Sequence, residues 1–321
     1  MGYARKRQIC LNDTPYYHVI SRCVRRAWLW GKDEFAGRDY SHRKHWVLDR
    51  MRVLSRIFSI EICAYAVMSD HYHLVLYVNQ EKAKRWTQEE VIARWSKLHR
   101  QPPLVSRYRE GTTSDAEREV ADKIIDVWRE RLFDISWFMR ALNEHLARLA
   151  NAEDDCTGRF WEGRFRSQAL LDEAGLLTAM AYVDLNPIRA GIARTPEQAE
   201  FTSIHQRIKS MTQRESSTRL DPKLRAFADE SDKTKSMIPY NLKDYLQLVD
   251  WTGRAIREDK PGFIDAAHPP ILSRLGIDAN GWTSVMGRRG AILGRAMGKL
   301  DALRVHAATL GQRWIRELRP V

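Results

Sequence analysis

Cysteine is scarce in this chain: four in 321 residues, at Cys10, Cys23, Cys63 and Cys156, with no C-x-x-C pair among them. Zinc-finger spacing is therefore absent, and so few thiols so far apart cannot staple a chain of this size as a disulfide scaffold. Long apolar runs are also missing, so the sequence offers no segment that would span a bilayer. The opening MGYARKRQICLND is basic but lacks the apolar stretch of a secretory signal. These absences make a reducing cytoplasm the expected location. No internal repeat interrupts the sequence, which excludes solenoid and propeller architectures.

What the sequence has is basic charge. Lys and Arg total 53 against 41 Asp and Glu, a net charge of +12. An excess of this size favours a polyanionic partner, of which nucleic acid is the commonest, although charge alone is also met in proteins with no such partner. Hydrophobic residues make up 44%, enough for one sizeable core and a second small one.

Periodicity sets out the elements. Tyr16–Arg22 (YYHVISR) alternates as a strand, and 39–57 carries apolar residues at helical spacing. Ile60–Met68 and His71–Val78 are β-rich and separated only by Ser69-Asp70, which predicts an antiparallel hairpin. Residues 80–130 are polar and read as an insertion, part loop and part helix. Ile135–Ala150 has helical spacing behind a cap at Asp134 or Ser136, Arg159–Leu171 reads as loop then strand, and Asp172–Leu185 as a helix stopped by Asn186-Pro187. This order predicts an α+β fold: a ferredoxin-like, mostly antiparallel sheet with helices on one face, plus a mainly helical C-terminal extension. The expected domains are 1–210, carrying the insertion; a linker at 211–236 around the Ser/Thr-rich Arg214–Leu220; and 237–321, with the basic stretch Gly287–Leu300.

Three groups of residues carry chemistry. Along a strand, side chains alternate, so His71 and His73 share a face and Tyr72 points away. Two imidazoles on a rigid strand suit a divalent metal, although an H-x-H pair by itself is commonly incidental. In the second group, Tyr182 and Asn186 stand four apart and share a helix face. Asn186 could add an amide oxygen, a hard ligand that fits Mg2+ or Mn2+. Read in isolation, the pair is a half-buried tyrosine followed by an Asn-Pro stop. Together the two groups can cut a phosphodiester: the metal neutralises non-bridging oxygens, and the phenol attacks to give a phosphotyrosine that conserves the ester bond for rejoining. Free tyrosine ionises near 10, so its proton needs a nearby acceptor. The third group, Arg159–Arg166, interleaves three arginines with three aromatics. Arg159, Arg164 and Arg166, with Arg22 on the first strand, are the candidate DNA contacts, while Phe160, Trp161 and Phe165 are expected to be mostly structural. Tyr72 is set aside as a nucleophile by strand alternation, and His145 is given no role.

Taken in order, MSDHYHLVL, GRFWEGRFRS and AYVDLNPIRAG resemble the single-tyrosine HUH transposases, and within them the REP-associated tyrosine transposase branch of the insertion sequence 200 group. The resemblance covers about 16–191. It implies a ferredoxin-like catalytic domain that cuts and joins single-stranded or hairpin DNA through a 5′-phosphotyrosine with Mg2+ or Mn2+. By position it makes His71 and His73 the paired ligands, Asn186 the third ligand and Tyr182 the nucleophile. The insertion and the last 120 or so residues lie beyond what compact members need. Two other functions suit the same residues, a non-catalytic single-stranded nucleic-acid-binding regulator and a metal-dependent phosphoesterase using water. A second copy of the chain is a further candidate partner, since an active site of this kind can be built within one chain or between two.

Overall fold

The computed structural model describes residues 8–24, 32–33, 37–212, 221–228, 237–256, 272, 276–287, 294–312 and 317–318. The chain begins with strand β1 (Tyr16–Arg22) and a two-residue ladder, β2 (Lys32–Asp33) with β3 (Arg38–Asp39). Helix α1 (Arg43–Ile57) follows, then the hairpin β4 (Ile60–Val67) and β5 (His71–Val78). The insertion folds as four helices: α2 (Gln80–Lys84), α3 (Gln88–Trp95), α4 (Pro103–Glu110) and α5 (Asp115–Arg131). It is thus more helical than the polar composition of 80–130 suggests. The signal was local: Thr87 with Glu90 and Ser114 with Glu117 form reciprocal capping boxes at the starts of α3 and α5.

Helix α6 (Ile135–Glu153) starts at Asp134, whose carboxylate accepts from the backbone N–H groups of Ser136 at 2.5 Å and Trp137 at 3.1 Å. Its buried face, Ile135, Phe138, Met139, Leu142, Leu146 and Ala150, has the spacing of one helical stripe. Strand β6 (Arg166–Leu170) returns to the sheet, and α7 (Glu173–Asp184) leads directly into the short α8 (Asn186–Arg189). Asn186-Pro187 therefore ends one helix by opening another, with Pro187 in the first turn, where its missing N–H is harmless. Helices α9 (Ser203–Thr212), α10 (Leu242–Ala255), α11 (Ala279–Gly287) and α12 (Leu300–Thr309) follow.

The main sheet has the order β4-β5-β1-β6-β7-β8, where β7 is Ala296–Met297 and β8 is Glu317–Leu318. The four strands β4-β5-β1-β6 are antiparallel throughout, and β7 and β8 add parallel pairs beyond β6. The fold is accordingly mixed α and β. Among the described residues of 237–321, α10, α11 and α12 are joined by β7 and β8, which lengthen the sheet.

One expectation is corrected outright: helices cover both faces of the sheet, not one. Tyr17, Val19, Tyr72, Leu74 and Leu76 pack with α1 and α6, whereas Ala64, Ala66, Val75 and Leu170 pack with α7 and α10. The reason is visible in β4 and β5, which are apolar at both parities; a strand buried on both sides loses the alternation of a half-exposed one. Helix α7 shows the same effect, since every residue from Ala174 to Asp184 is buried. Gly175 in α7 allows the close approach of the added edge: a Cβ there would stand 2.7 Å from the Met297 carbonyl oxygen.

Within 211–236, α9 runs on to Thr212, and 221–228 lies against the outer edge of β4, where Arg225 N donates to Ile62 O at 2.8 Å. The Ser/Thr-rich stretch Arg214–Leu220 lies outside the described residues, as do 288–293 of the basic stretch Gly287–Leu300. Among the described residues no helix is long and apolar enough to cross a membrane.

Candidate active site

Strand register decides which side chains meet. Across β5 and β1, His71 stands opposite Arg22, His73 opposite Ile20, and Val75 opposite His18. Across β1 and β6, Ile20 stands opposite Arg166 and His18 opposite Gln168. Directly opposed residues project from one face. His71, His73, His18, Gln168, Arg22 and Arg166 therefore share the face that α7 covers. Tyr72 is on the other face, wholly buried, its hydroxyl donating to Asn143 Oδ1 at 2.5 Å.

Helix α7 brings the phenol to this face. The Tyr182 ring centroid lies 5.9 Å from that of His73 and 6.5 Å from that of His18, both edge-on. The ring is 6% exposed, and the Arg189 guanidinium sits 4.3 Å from its centroid. Asn186, one helical turn beyond Tyr182, is 9% exposed, and its Nδ2 has no hydrogen-bond partner. A buried amide nitrogen without a protein partner is free to donate to a ligand.

The imidazoles are oriented from behind. His71 Nδ1 lies 2.5 Å from Asp70 Oδ1, and Arg22 Nε lies 3.8 Å from Asp70 Oδ2. Half-burial raises the Asp70 carboxyl, but the bond from His71 and the charges of His71 and Arg22 outweigh it and hold the group below the usual carboxylate range. His73 Nδ1 lies 2.9 Å from His18 Nε2, and His18 Nδ1 lies 3.3 Å from Gln168 Oε1. Burial drives His73 well below the usual imidazole range, helped by His71, His18, Arg22 and Arg189; it takes His18 down to about 4 against the opposing bond from Gln168. At neutral pH both rings are neutral and keep a lone pair.

The helix end is held separately. Asp184, between Tyr182 and Asn186, is wholly buried and accepts from Ser203 Oγ at 2.5 Å, Ile204 N at 3.0 Å and Tyr245 OH at 2.5 Å. These bonds tie the end of α7 to α9 and α10.

Of the residues singled out from the sequence, His71, His73, Arg22 and Arg166 share one sheet face, and Tyr182 packs against His73 there, with Asn186 a turn from Tyr182. Arg159 and Arg164 are exposed in the loop before β6, and Arg159 Nε donates to Trp161 O at 2.9 Å. Phe160 and Phe165 are buried at 6% and 8% exposure, so these aromatics serve the core. Sequence reading missed His18, Gln168, Asp184 and Arg189. For His18 a signal existed: a histidine at the parity of Arg22 in an otherwise apolar strand.

Among the described residues, no three His, Cys, Asp or Glu side chains are grouped to hold a metal. A cation here would depend on His71, His73 and the Asn186 amide, with substrate or water completing its shell. The donor types suit this: imidazole nitrogens and an amide oxygen are ligands that a divalent cation takes.

No protein-family model matches the chain, and no curated protein does. A solved structure described as a REP-associated tyrosine transposase bound to a REP hairpin aligns with a TM-score of 0.40 and 11% identity, covering 74% of this chain and 97% of that one. Similarity at that level does not bear on the chemistry of the site.

Proposed function

We propose that this chain is a metal-assisted DNA nuclease and strand transferase, acting on single-stranded or hairpin DNA, with Tyr182 as nucleophile. The observation that carries the reading is the 5.9 Å approach of the Tyr182 and His73 rings on one sheet face. Two segments more than a hundred residues apart meet with a nucleophile and a ligand pair side by side. The core is read as a ferredoxin-like sandwich, an assignment supported by the order β4-β5-β1-β6 with antiparallel neighbours and α1 crossing between β1 and β4.

His71, His73 and Asn186 would hold Mg2+ or Mn2+, which when bound supplies charge neutralisation at the phosphate oxygens. The protein's own part is positioning. Tyr182 Oη attacks phosphorus, the P–O3′ bond breaks, and the phenolic proton ends on the departing 3′-oxygen. The product is a 5′-phosphotyrosine and a free 3′-hydroxyl. A second 3′-hydroxyl can attack the same phosphorus and restore the phenol, so the ester is conserved rather than spent on water. Arg189, over the phenol ring, favours the negative charge that develops on its oxygen. Arg22 and Arg166, on the same face as the histidines, are placed to take neighbouring phosphates.

The test is incubation of the full chain with end-labelled hairpin DNA carrying single-stranded flanks, in Mn2+. A covalent protein–DNA adduct is expected that is lost in Tyr182→Phe and in His73→Ala. Cleavage that survives Tyr182→Phe without an adduct overturns the reading in favour of water as nucleophile. Binding with neither cut nor adduct overturns it in favour of a regulator.

A further inference from the structure

His18 and Gln168 lie behind the candidate ligands, and neither is needed to bind metal or attack phosphate. Their geometry nevertheless constrains where protons sit. An amide oxygen only accepts, so Gln168 Oε1 at 3.3 Å requires a proton on His18 Nδ1. His18 is 1% exposed and faces no carboxylate in this row, so the ring is neutral and its Nε2 carries a lone pair. That lone pair, 2.9 Å from His73 Nδ1, can only accept, so His73 must carry its proton on Nδ1. His73 is 4% exposed and likewise neutral. Its lone pair is then on Nε2, the ring nitrogen that the chain Gln168–His18–His73 leaves uncommitted. On His71 a proton also sits on Nδ1, because Asp70 Oδ1 at 2.5 Å accepts from it.

We propose that His18 and Gln168 are positioning residues: a buried relay that locks His73 in the Nδ1–H tautomer and aims its Nε2 lone pair into the site. The proposal rests on the metal-assisted reading for its purpose but not for its physics. The two histidine ligands are served by different devices, a carboxylate for the partly exposed His71 and a neutral relay for the buried His73. A second buried carboxylate beside His73 would place an unpaired charge where the protein can least solvate it. A neutral histidine–amide pair delivers the same orientation without that cost. Partners of this kind behind ligating imidazoles typically change metal affinity by about 10–100-fold when removed.

The experiment is two-bond 1H–15N spectroscopy of the metal-free full chain labelled with 15N-histidine, at a pH where the buried rings are neutral. In the wild type, His73 is expected to show a protonated Nδ1 and a bare Nε2. In Gln168→Leu and in His18→Phe, the His73 pattern is expected to move towards a protonated Nε2, and Mn2+ affinity by calorimetry to fall by about 10–100-fold. Gln168→Leu keeps a similar volume in β6, so it supplies the result should His18→Phe not fold. A wild-type His73 protonated on Nε2 overturns the proposal, as does a Gln168→Leu protein with unchanged tautomer and unchanged Mn2+ affinity. Neither readout uses DNA or Tyr182. A locked tautomer without any tyrosine adduct therefore defeats the proposed function alone, and an adduct with a free tautomer defeats the relay alone.

Discussion

Asp184→Asn tests whether the helix end bearing Tyr182 and Asn186 is anchored as described. The Asp184 carboxyl titrates from 3.8 up to about 6 because it is buried, and the bonds from Ser203, Tyr245 and Ile204, with the charge of Arg207, only partly offset this. The sign follows from linkage. The folded carboxyl holds its proton more tightly than the unfolded one, so between pH 3.8 and about 6 the folded state binds more protons. Stability therefore falls as pH rises through that window. At 1.36 kcal/mol per pH unit the window is worth about 3 kcal/mol. Asparagine keeps the shape and can still accept from Ser203 and Ile204, but does not titrate. The unfolding free energy of the variant minus that of the wild type should thus rise by about 3 kcal/mol between roughly pH 3.5 and 7.5, with every other titration cancelling in the difference. Urea unfolding at a series of pH values measures it, with chelator present so that no cation contributes. A difference that is flat with pH, or that falls, refutes both the burial of the carboxyl and its role as the anchor of α7.

Three further outcomes separate roles within the site and its frame. Tyr72→Phe removes the hydroxyl that donates to Asn143 Oδ1 and should cost about 1–3 kcal/mol in denaturant unfolding, while leaving the covalent DNA adduct intact; an adduct lost with Tyr72 would move the nucleophile to the other face. Gly175→Ala places a Cβ 2.7 Å from the Met297 carbonyl oxygen, so β7 must shift, at about 1–3 kcal/mol; an unchanged urea midpoint would show that β7 is not docked there. Arg166→Ala should weaken hairpin binding to a similar degree across sequences and reduce the slope of log affinity against log salt by about 1; an unchanged slope would remove Arg166 from the phosphate contacts.

Much of this arrangement was legible because it depends on local pattern. The strand period puts His71 and His73 on one face and Tyr72 on the other, and the helical period keeps Tyr182 with Asn186. The two-face covering of the sheet could also have been read, since IEICAYAV is apolar at both parities. What could not be read is register between distant strands. That His18 lands beside His73 depends on β1 pairing with β5 so that Val19 meets Leu74, and no local pattern sets that offset. The same holds for Asp184, whose three donors come from α9 and α10, and for β7 and β8, which are too short to show a period.

The polar groups missed by pattern share a physical logic. Each half of the site sits in a buried setting that would be costly without hydrogen-bonded partners: His73 on β5 and Asp184 at the end of α7. Each is satisfied from a different part of the chain, His73 through β1 and β6, Asp184 through α9 and α10. The β5 imidazole of His73 and the α7 phenol are thus fixed independently to the rest of the protein and meet edge-on, their ring centroids 5.9 Å apart. Asn186 stands near the phenol with an unpaired amide nitrogen, and Gln168 keeps its own Nε2 unpaired while its oxygen serves His18. Unsatisfied donors held on rigid elements are the form expected of a site that completes its bonding with a ligand. The burial of Tyr182, at 6% exposure, is consistent with such a site, because the ring packs edge-on against the neutral His73 and His18 rather than against apolar side chains alone.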